Sequence, residues 1–120
     1  MAGDSSPGQK PVQEHFVRKY PRFPIDIPVA LTFTRNGSKV ARSGRASEVS
    51  ERGIAIYVSI DLFPGDRLLI EMTLPYSHEA VHLDAVVRSR AGFRYGLEFK
   101  EMNPRQKQVV ARTCSALSVL

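Results

Sequence analysis

Two short segments of the chain carry residue types that could recognise a small anionic molecule. Arg18 and Arg22 lie four positions apart in the run RKYPR. Each guanidinium group is a planar, permanently charged fork that fits phosphate oxygens and the O6/N7 edge of guanine. The spacing would place both groups on one face only in a helix, and Pro21 argues against a helix. Two interpretations are open: a flexible arm that wraps a ligand, and a solvated basic linker, which is the commoner role of a short charge run.

The second segment is the run EVSERG, at residues 48–53, which joins a polar stretch to an apolar one. In a strand, residues two apart face the same way, so Glu48 and Ser50 are expected to project together. The carboxylate can accept hydrogen bonds from a guanine edge, and the hydroxyl can donate to a phosphate. Gly53 can adopt a positive φ and admit a ligand close to the backbone. The alternative, which these residues by themselves favour, is a plain turn in which the serine caps and the glycine bends the chain.

Length and composition define the class of protein. The chain has 120 residues, of which 42% are hydrophobic, and this suffices for one domain with its own core. No apolar run reaches the ~18 residues that a membrane helix requires, and the N-terminal residues lack a secretory signal. The single cysteine, Cys114, is consistent with the cytoplasm. The net charge of +5 favours an anionic partner such as a nucleotide, a nucleic acid or a phospholipid head group.

Local patterns predict mainly strands. Residues 1–14 are polar and rich in Gly, Ser and Pro, which is typical of a disordered tail. Residues 15–28 are basic and contain several prolines, so this arm is expected to be extended and to lead into the first strand near Val29. Asn36-Gly37 predicts a type I′ hairpin turn. A polar return strand over about 39–50 follows, and then come four segments of apolar–polar alternation. A short turn at Arg90 to Gly92 is expected before the last of them, the set Phe93, Tyr95, Leu97 and Phe99.

The period changes near the C-terminus. Asn103 followed by Pro104 is typical of a helix start. The spacing of Val110, Cys114 and Leu117, with Val109, Thr113 and Leu120 beside them, predicts one amphipathic helix over 104–118. About six strands and one helix make a mainly β domain, an antiparallel barrel or tightly curled sheet, that extends over residues 15–120.

Nothing in the sequence favours catalysis or a metal site. No histidine lies near Ser50, and there is no G-x-S-x-G motif or phosphate-binding glycine loop. His78 and His82 have the spacing of metal ligands on a helix, but Pro75 and the strand pattern place them on a loop and a strand. Cys114 falls on the apolar side of the helix, so we expect it to pack in the core. The sequence therefore predicts a protein that is not an enzyme and that needs no cofactor.

The two segments, in this order, resemble the PilZ family. Its signature is an R-x-x-x-R arm before the first strand and a [D/N]-x-S-x-x-G turn further along. Here the arm lies in RKYPRFPIDIPVAL, and the turn is EVSERG, followed by the apolar strand IAIYV. Further similarity lies in LFPGDRLLIEMTLP, in FRYGLEFKEM and in the closing helix, so that the resemblance covers residues 16–118.

The resemblance implies a six-stranded antiparallel barrel with a helix over one end. It also implies binding of cyclic di-GMP, a bacterial second messenger with two guanines and two phosphates. Arg18 and Arg22 would contact guanine edges and phosphates, Ser50 would contact a phosphate or a guanine, and Gly53 would permit close approach. Glu48 stands where the family has Asp or Asn, which keeps the acceptor chemistry but adds a methylene.

Three functions are then in competition. The leading one is a bacterial cytoplasmic receptor that binds cyclic di-GMP and signals to an unknown downstream protein partner. The alternative is a ligand-free PilZ-like adaptor that acts only through protein–protein contacts, which Glu48 favours. The third is a nucleic-acid binder; it ranks below the others because Trp is absent and most aromatic residues are predicted to face inward, away from a stacking groove.

Overall fold

The computed structural model describes residues 20–120. The predicted tail 1–14, Arg18 and the first part of the arm lie outside the described residues. The described elements are β1 Phe23–Arg35, β2 Ser38–Val49, β3 Gly53–Tyr57, β4 Arg67–Thr73, β5 Ala80–Ala91, β6 Arg94–Lys100 and α1 Pro104–Leu117.

The strands close into one antiparallel barrel in the order β1-β2-β3-β6-β5-β4. Strands that follow each other in the chain mostly pair with each other, whereas β3 pairs with β6 and β1 closes the barrel against β4. The β1–β4 seam is short, running from the pair Ala30↔Glu71 to the pair Thr32↔Leu69. The predicted mainly β architecture, a six-stranded antiparallel barrel with one C-terminal helix, is confirmed.

Alternation of side chains fills the barrel. In β4, Leu68, Ile70 and Met72 are buried while the residues between them are exposed. The same period places Ile54 and Ile56 of β3 inside. Since side chains alternate across a strand, each strand supplies one apolar row to a common core and leaves the other row on the outer face of the barrel.

The hairpin between β1 and β2 has the predicted turn. Asn36 and Gly37 both have positive φ, 52° and 78°, and Arg35 pairs with Ser38 across the turn. A type I′ turn requires positive φ at both central positions, which Asn and Gly tolerate best. The Asn-Gly signal therefore identified this turn correctly.

Helix α1 begins as predicted. The side chain of Asn103 accepts a hydrogen bond from the backbone N–H of Gln106, and the Gln106 side chain accepts one from the Asn103 N–H, each at 2.8 Å. This reciprocal pair satisfies donors that the first helical turn leaves free. Val110 and Cys114 are buried against the barrel, which confirms the predicted apolar face. The helix lies beside the start of β5, where the Gln106 amide donates to the His82 carbonyl at 2.7 Å.

Three local expectations were wrong. Strand β1 begins at Phe23, within the segment expected only to lead into it; its pairing with β2 is irregular between Pro24 and Ile27, where prolines are tolerated in a sheet. The last hairpin turns at Gly92 and Phe93, so Phe93 is half exposed and does not continue the buried row of β6. Leu120, expected beside the apolar face of the helix, is exposed beyond its end.

The expected inward placement of most aromatic residues was also wrong. Within residues 20–120, buried aromatic residues are outnumbered by exposed ones. The buried ones are Phe33, Tyr95 and Phe99; the exposed ones are Tyr57, Phe63, Tyr76 and Phe93. Tyr57 faces outward because the apolar row of β3 is made by its isoleucines, and Phe63, Tyr76 and Phe93 lie in connections between strands. Within the described part of the chain, no helix is both long and apolar enough to span a membrane.

Candidate functional site

A cleft of about 420 Å³ lies on the outer face of the barrel, over strands β3 and β6. Its floor is made by small outward-facing residues, Gly53 and Ala55 on β3 and Gly96 on β6. Ala55 pairs with Gly96 in the sheet, so the two strands present almost no side chain at this point. Longer side chains of neighbouring positions form the walls. The volume falls within the roughly 300–1,000 Å³ of small-molecule sites.

The glycines of the floor lie in close contact with the neighbouring strands. A Cβ atom on Gly53 would lie 2.3 Å from the carbonyl oxygen of Leu97, and one on Gly96 would lie 2.4 Å from the Ser89 hydroxyl. The expectation of a positive φ at Gly53 was wrong, because the positive-φ glycines of residues 20–120 are Gly37, Gly65 and Gly92. Gly53 is instead needed because β6 approaches its backbone too closely for any side chain.

A bulge in β2 turns Glu48 towards the cleft. The pairing of β2 with β3 shifts between Ala46 and Glu48, so that Ala46 and Val49 are both buried although they lie three positions apart. An extra residue in one strand breaks the simple alternation and redirects the following side chains. A second shift, between Val87 and Ser89 of β5, lies on the other side of the cleft. The site therefore lies between two irregularities of the sheet.

Ser50 lies just after β2 and organises the turn into β3. Its hydroxyl oxygen accepts hydrogen bonds from the backbone N–H groups of Arg52, at 3.2 Å, and Gly53, at 3.1 Å. The Ser50 N–H donates to the Gly53 carbonyl at 2.9 Å, which closes the same turn. The capping turn considered from the sequence is thus present. Ser50 is buried, but it also lines the cleft beside Glu48, so the two residues face the same space.

Arginine dominates the charge of the walls. The cleft is lined by two carboxylates, Glu48 and Glu98, and by a larger set of arginines: Arg22, Arg52, Arg88 and Arg94. Glu48 Oε1 lies 3.3 Å from Arg94 Nη2. Glu98 forms ion pairs with two arginines: its Oε1 lies 2.7 Å from Arg88 Nε, and its Oε2 lies 3.7 Å from Arg52 Nη2. Within residues 20–120, no carboxylate pairs with the exposed Arg22, so the cleft keeps an excess of positive charge.

The carboxylate of Glu98 stays ionised among these arginines. The hydrogen bond from Arg88 lowers the pKa of Glu98 below its usual 4.5, and the positive charges of Lys100, Arg88 and Arg52 act in the same direction against a smaller effect of burial. The carboxylate therefore fixes the Arg88 and Arg52 side chains over the cleft at any physiological pH.

The described part of the arm lies along the entrance. The Tyr20 ring lies 5.2 Å from the Arg52 guanidinium carbon, within the range of a cation–π contact, and both residues line the cleft with Arg22. The arm thus approaches the EVSERG turn from outside the barrel, which brings the two segments identified in the sequence into one place.

The structure brings together four of the five residues predicted for the site: Arg22, Glu48, Ser50 and Gly53. Arg18, the fifth, lies outside the described residues. Arg52, Arg88 and Arg94, which also line the cleft, were not predicted from the sequence. The sequence does contain a signal for one of these positions. Arg94, Gly96 and Glu98 alternate along β6, so they predict an outward-facing polar row that has no side chain at its middle position. Assigning that row to this site required the β3–β6 pairing, which a single sequence does not show.

Other residues with possible chemistry lie on exposed strand faces or in the core. His82 Nε2 lies 3.1 Å from Glu71 Oε2 on the exposed faces of β5 and β4, and no group of metal-ligating side chains occurs within residues 20–120. Cys114 is buried, and desolvation raises the pKa of its thiol to about 11. This agrees with the predicted packing role.

The sequence profile of the PilZ domain family matches residues 16–116, which is most of the chain. The chain belongs to the PilZ domain family. A comparison with curated protein sequences found no match. The family assignment places the R-x-x-x-R arm and the EVSERG turn within one recognised domain.

Solved PilZ structures share the fold. The PilZ domain of CeSA from a cellulose-synthesizing bacterium is 23% identical, with a TM-score of 0.63 over 82% of this chain and 98% of that chain. The PilZ domain of YcgR from Escherichia coli, solved with c-di-GMP, is 18% identical, with a TM-score of 0.67 over 85% and 92%. The Bacillus subtilis inhibitor of motility, MotI/DgrA, is 20% identical, with a TM-score of 0.67 over 85% of this chain and 51% of that chain.

A second groove, of about 590 Å³, lies beside the cleft of this PilZ domain. Its lining includes the exposed rings of Tyr57 and Phe93 and the ion pair between Arg45 Nε and Asp26 Oδ1, at 2.8 Å. Phe93 also contacts Arg90, whose guanidinium carbon lies 5.7 Å from the ring centre. This groove carries a more apolar surface than the arginine-lined cleft.

Proposed function

We propose that this PilZ domain is a receptor that binds cyclic di-GMP in the arginine-lined cleft and signals to a downstream protein. The observation that carries the proposal is the convergence of the arm and the turn: Arg22 faces the same cleft as Glu48 and Ser50. Arginine suits both a phosphate and the Hoogsteen edge of guanine, and a carboxylate suits the N–H donors of guanine. The family membership and the c-di-GMP carried by the YcgR domain support the same ligand.

Charge supports a dianionic ligand. The arginines of the lining outnumber its carboxylates by four to two. Each phosphodiester of cyclic di-GMP carries one negative charge, so the two phosphates match the excess. Arg22 is exposed and forms no ion pair within residues 20–120, which leaves its guanidinium available to a phosphate or a guanine. Arg18 would join it from the other end of the R-x-x-x-R arm.

The remaining predicted residues have distinct parts in this proposal. Ser50 holds the turn through two accepted hydrogen bonds, and its own O–H lies 3.5 Å from the Gly53 carbonyl, a long contact that a ligand phosphate can replace. Gly53 and Gly96 keep the floor flat. A base can therefore lie against the backbone of β3 and β6.

Isothermal titration of cyclic di-GMP into the wild type and into Arg22→Ala tests this function. A good arginine–guanine pair contributes about 1–3 kcal/mol, so the variant should bind roughly 5- to 150-fold more weakly. The matched control is Arg42→Ala, which removes the same charge from an exposed position of β2 outside the cleft and should leave affinity unchanged. Saturable binding that is insensitive to Arg22, or no binding by a folded wild type, would contradict the receptor function.

A second function, the ligand-free adaptor, is favoured by the aromatic groove. Exposed rings such as Tyr57 and Phe93 are typical of protein-binding surfaces, and neither belongs to the cleft lining. An adaptor would retain its protein partner in the absence of nucleotide and would lose it on Tyr57→Ala. The same titration separates the two, because an adaptor produces no binding heat with cyclic di-GMP.

A further inference from the structure

The ion pair between Glu48 and Arg94 spans strand β3. Glu48 pairs with Ala55 in the β2–β3 ladder, and Arg94 pairs with Tyr57 in the β3–β6 ladder, so the two residues stand on opposite sides of β3. Their side chains meet over the strand, with 3.3 Å between Oε1 and Nη2. Both side chains are a little more than one third exposed, and both line the cleft.

The length of Glu48 matters for this contact. At 3.3 Å the pair is already near the long end of a hydrogen bond. The Asp or Asn that the family signature has at this position is one methylene shorter, and from the same backbone position it would not reach Arg94. The small Ala55 side chain below leaves room for the longer chain to lie across β3. Glu48 and Arg94 therefore form a matched pair.

The pair leaves Glu48 able to accept more hydrogen bonds. Arg94 contacts one carboxylate oxygen, Oε1, and within residues 20–120 no side chain or backbone donor contacts Oε2. An ionised carboxylate has about four acceptor sites, and one is occupied here. Fixing one oxygen also removes much of the rotational freedom of a long side chain before the ligand arrives, which lowers the entropy cost of binding.

We infer that Arg94 positions Glu48 as the acceptor for a guanine edge, so that the Glu48–Arg94 pair replaces the shorter acceptor of the family signature. The inference rests on the proposed function, and it adds a residue that determines base selectivity. Glu48 would accept hydrogen bonds from the N1–H and from the N2 amino group of guanine. Hypoxanthine has the N1–H but lacks the amino group. Arg94 acts through Glu48 and is in this sense a positioning residue.

A double-mutant cycle tests the inference. Wild type, Glu48→Asn, Arg94→Gln and the double variant are titrated with cyclic di-GMP and with cyclic di-IMP, which lacks the N2 amino groups. Since residues in contact contribute non-additively, Arg94→Gln should weaken cyclic di-GMP binding about tenfold when Glu48 is present and less than about twofold in the Glu48→Asn background. It should also reduce the preference for cyclic di-GMP over cyclic di-IMP only when Glu48 is present.

Two further variants keep the result interpretable. Arg94→Lys retains the positive charge but lacks the planar fork, so it should restore overall affinity more than base preference. Arg42→Gln removes one charge outside the cleft and should change neither the affinity for cyclic di-GMP nor the base preference. Circular dichroism of each variant verifies the fold, which is expected to persist because Arg94 is partly exposed and lies outside the apolar core.

The outcomes separate the two proposals. Equal losses on Arg94→Gln with and without Glu48 would mean that Arg94 acts only as a positive charge and would overturn the inference while leaving the receptor intact. Tighter binding on Arg94→Gln would show that the pair sequesters Glu48, and this also overturns it. A folded wild type that does not bind cyclic di-GMP overturns both the receptor and the inference.

Discussion

At the scale of the residue, Ser50 combines two tasks in one hydroxyl. It lies in the cleft wall, and it also accepts hydrogen bonds from the backbone N–H groups of Arg52 and Gly53. Both N–H groups belong to the turn that carries the floor of the cleft. A substitution at Ser50 therefore changes the geometry of the site as well as its chemistry.

We expect Ser50→Ala to lower the free energy of unfolding by about 0.5–1.5 kcal/mol, because it leaves two backbone donors of a partly buried turn without their acceptor. Urea denaturation, monitored by circular dichroism, measures this loss. Ser59→Ala is the control, since Ser59 is exposed, and it should change stability by less than about 0.5 kcal/mol. Equal stabilities of the two variants would show that Ser50 does not hold the turn.

Site residues could be predicted from the sequence where they belong to a motif that is contiguous in the chain. The R-x-x-x-R and EVSERG runs identified Arg22, Glu48, Ser50 and Gly53 because each motif is contiguous in the chain. Arg94 could not be assigned in the same way, because its partner Glu48 lies on another strand and the contact depends on how β3 pairs with β6. The polar turn of Ser50 was considered from the sequence, but the steric reason for Gly53 was not.

At the scale of the element, the contact between β3 and β6 sets the shape of the cleft. The backbones can pair closely here because Gly53 carries no Cβ atom, and one would lie 2.3 Å from the Leu97 carbonyl oxygen. The atom it would meet belongs to the backbone of a paired strand, which cannot rotate away as a flexible side chain would. The ladder itself would have to open.

We expect Gly53→Ala to destabilise the domain by about 1–3 kcal/mol and to weaken ligand binding, because the two strands must separate under the floor of the cleft. Thermal unfolding and titration of cyclic di-GMP measure the two effects.

Gly37 provides the control for this prediction. It needs its positive φ of 78°, but a Cβ there would meet nothing within 4 Å. Asn tolerates positive φ, so Gly37→Asn should cost little, whereas Gly53→Asn should be at least as damaging as Gly53→Ala. Similar costs for asparagine at both positions would refute the steric explanation.

Element boundaries show where sequence patterns fail. The start of β1 was placed too late because prolines near Pro24 suggested a lead-in, yet the irregular pairing of β1 with β2 accommodates them. The β5–β6 turn was placed too early because Phe93 fits the alternation of the residues after it. Both errors have the same cause: pairing partners fix the ends of strands, and a local apolar period does not identify the partners.

At the scale of the whole molecule, the helix and the barrel share one core. Cys114 of α1 packs in this core, and burial raises the pKa of its thiol to about 11. In the unfolded chain the thiol would ionise near its ordinary value of 9.0. The folded state therefore holds the Cys114 proton more tightly, and its contribution to stability is complete below pH 9.0 and is lost as pH rises towards about 11.

We expect the free energy of unfolding to fall between pH 9 and pH 11 more steeply in the wild type than in Cys114→Ala. The variant starts from a lower stability because it leaves a small cavity, but it lacks the thiol that ionises on unfolding. Urea titrations at several pH values, compared by slope, isolate this effect from the tyrosines and lysines that both proteins share. Parallel pH profiles would contradict it.

The overall fold was predicted from the sequence more fully than the site or the ends of the strands. Alternation of apolar residues, the Asn36-Gly37 turn and the Asn103 cap each specify a local structure, and all are consistent with one antiparallel barrel closed by a helix. The exposed aromatic residues were not foreseen, because three of them, Phe63, Tyr76 and Phe93, lie in connections that have no period.

The barrel is closed and its interior is filled with side chains, so the cleft lies on the outside of the protein. A nucleotide held there keeps one side in solvent and becomes part of the exterior. A downstream protein that docks over this face would contact the nucleotide directly, and the nucleotide would then form part of the interface between the two proteins. By thermodynamic reciprocity, such a protein would tighten binding of the nucleotide by the same factor as the nucleotide tightens binding of the protein. The concentration at which the signal is sensed would then depend on how much of that protein the cell contains.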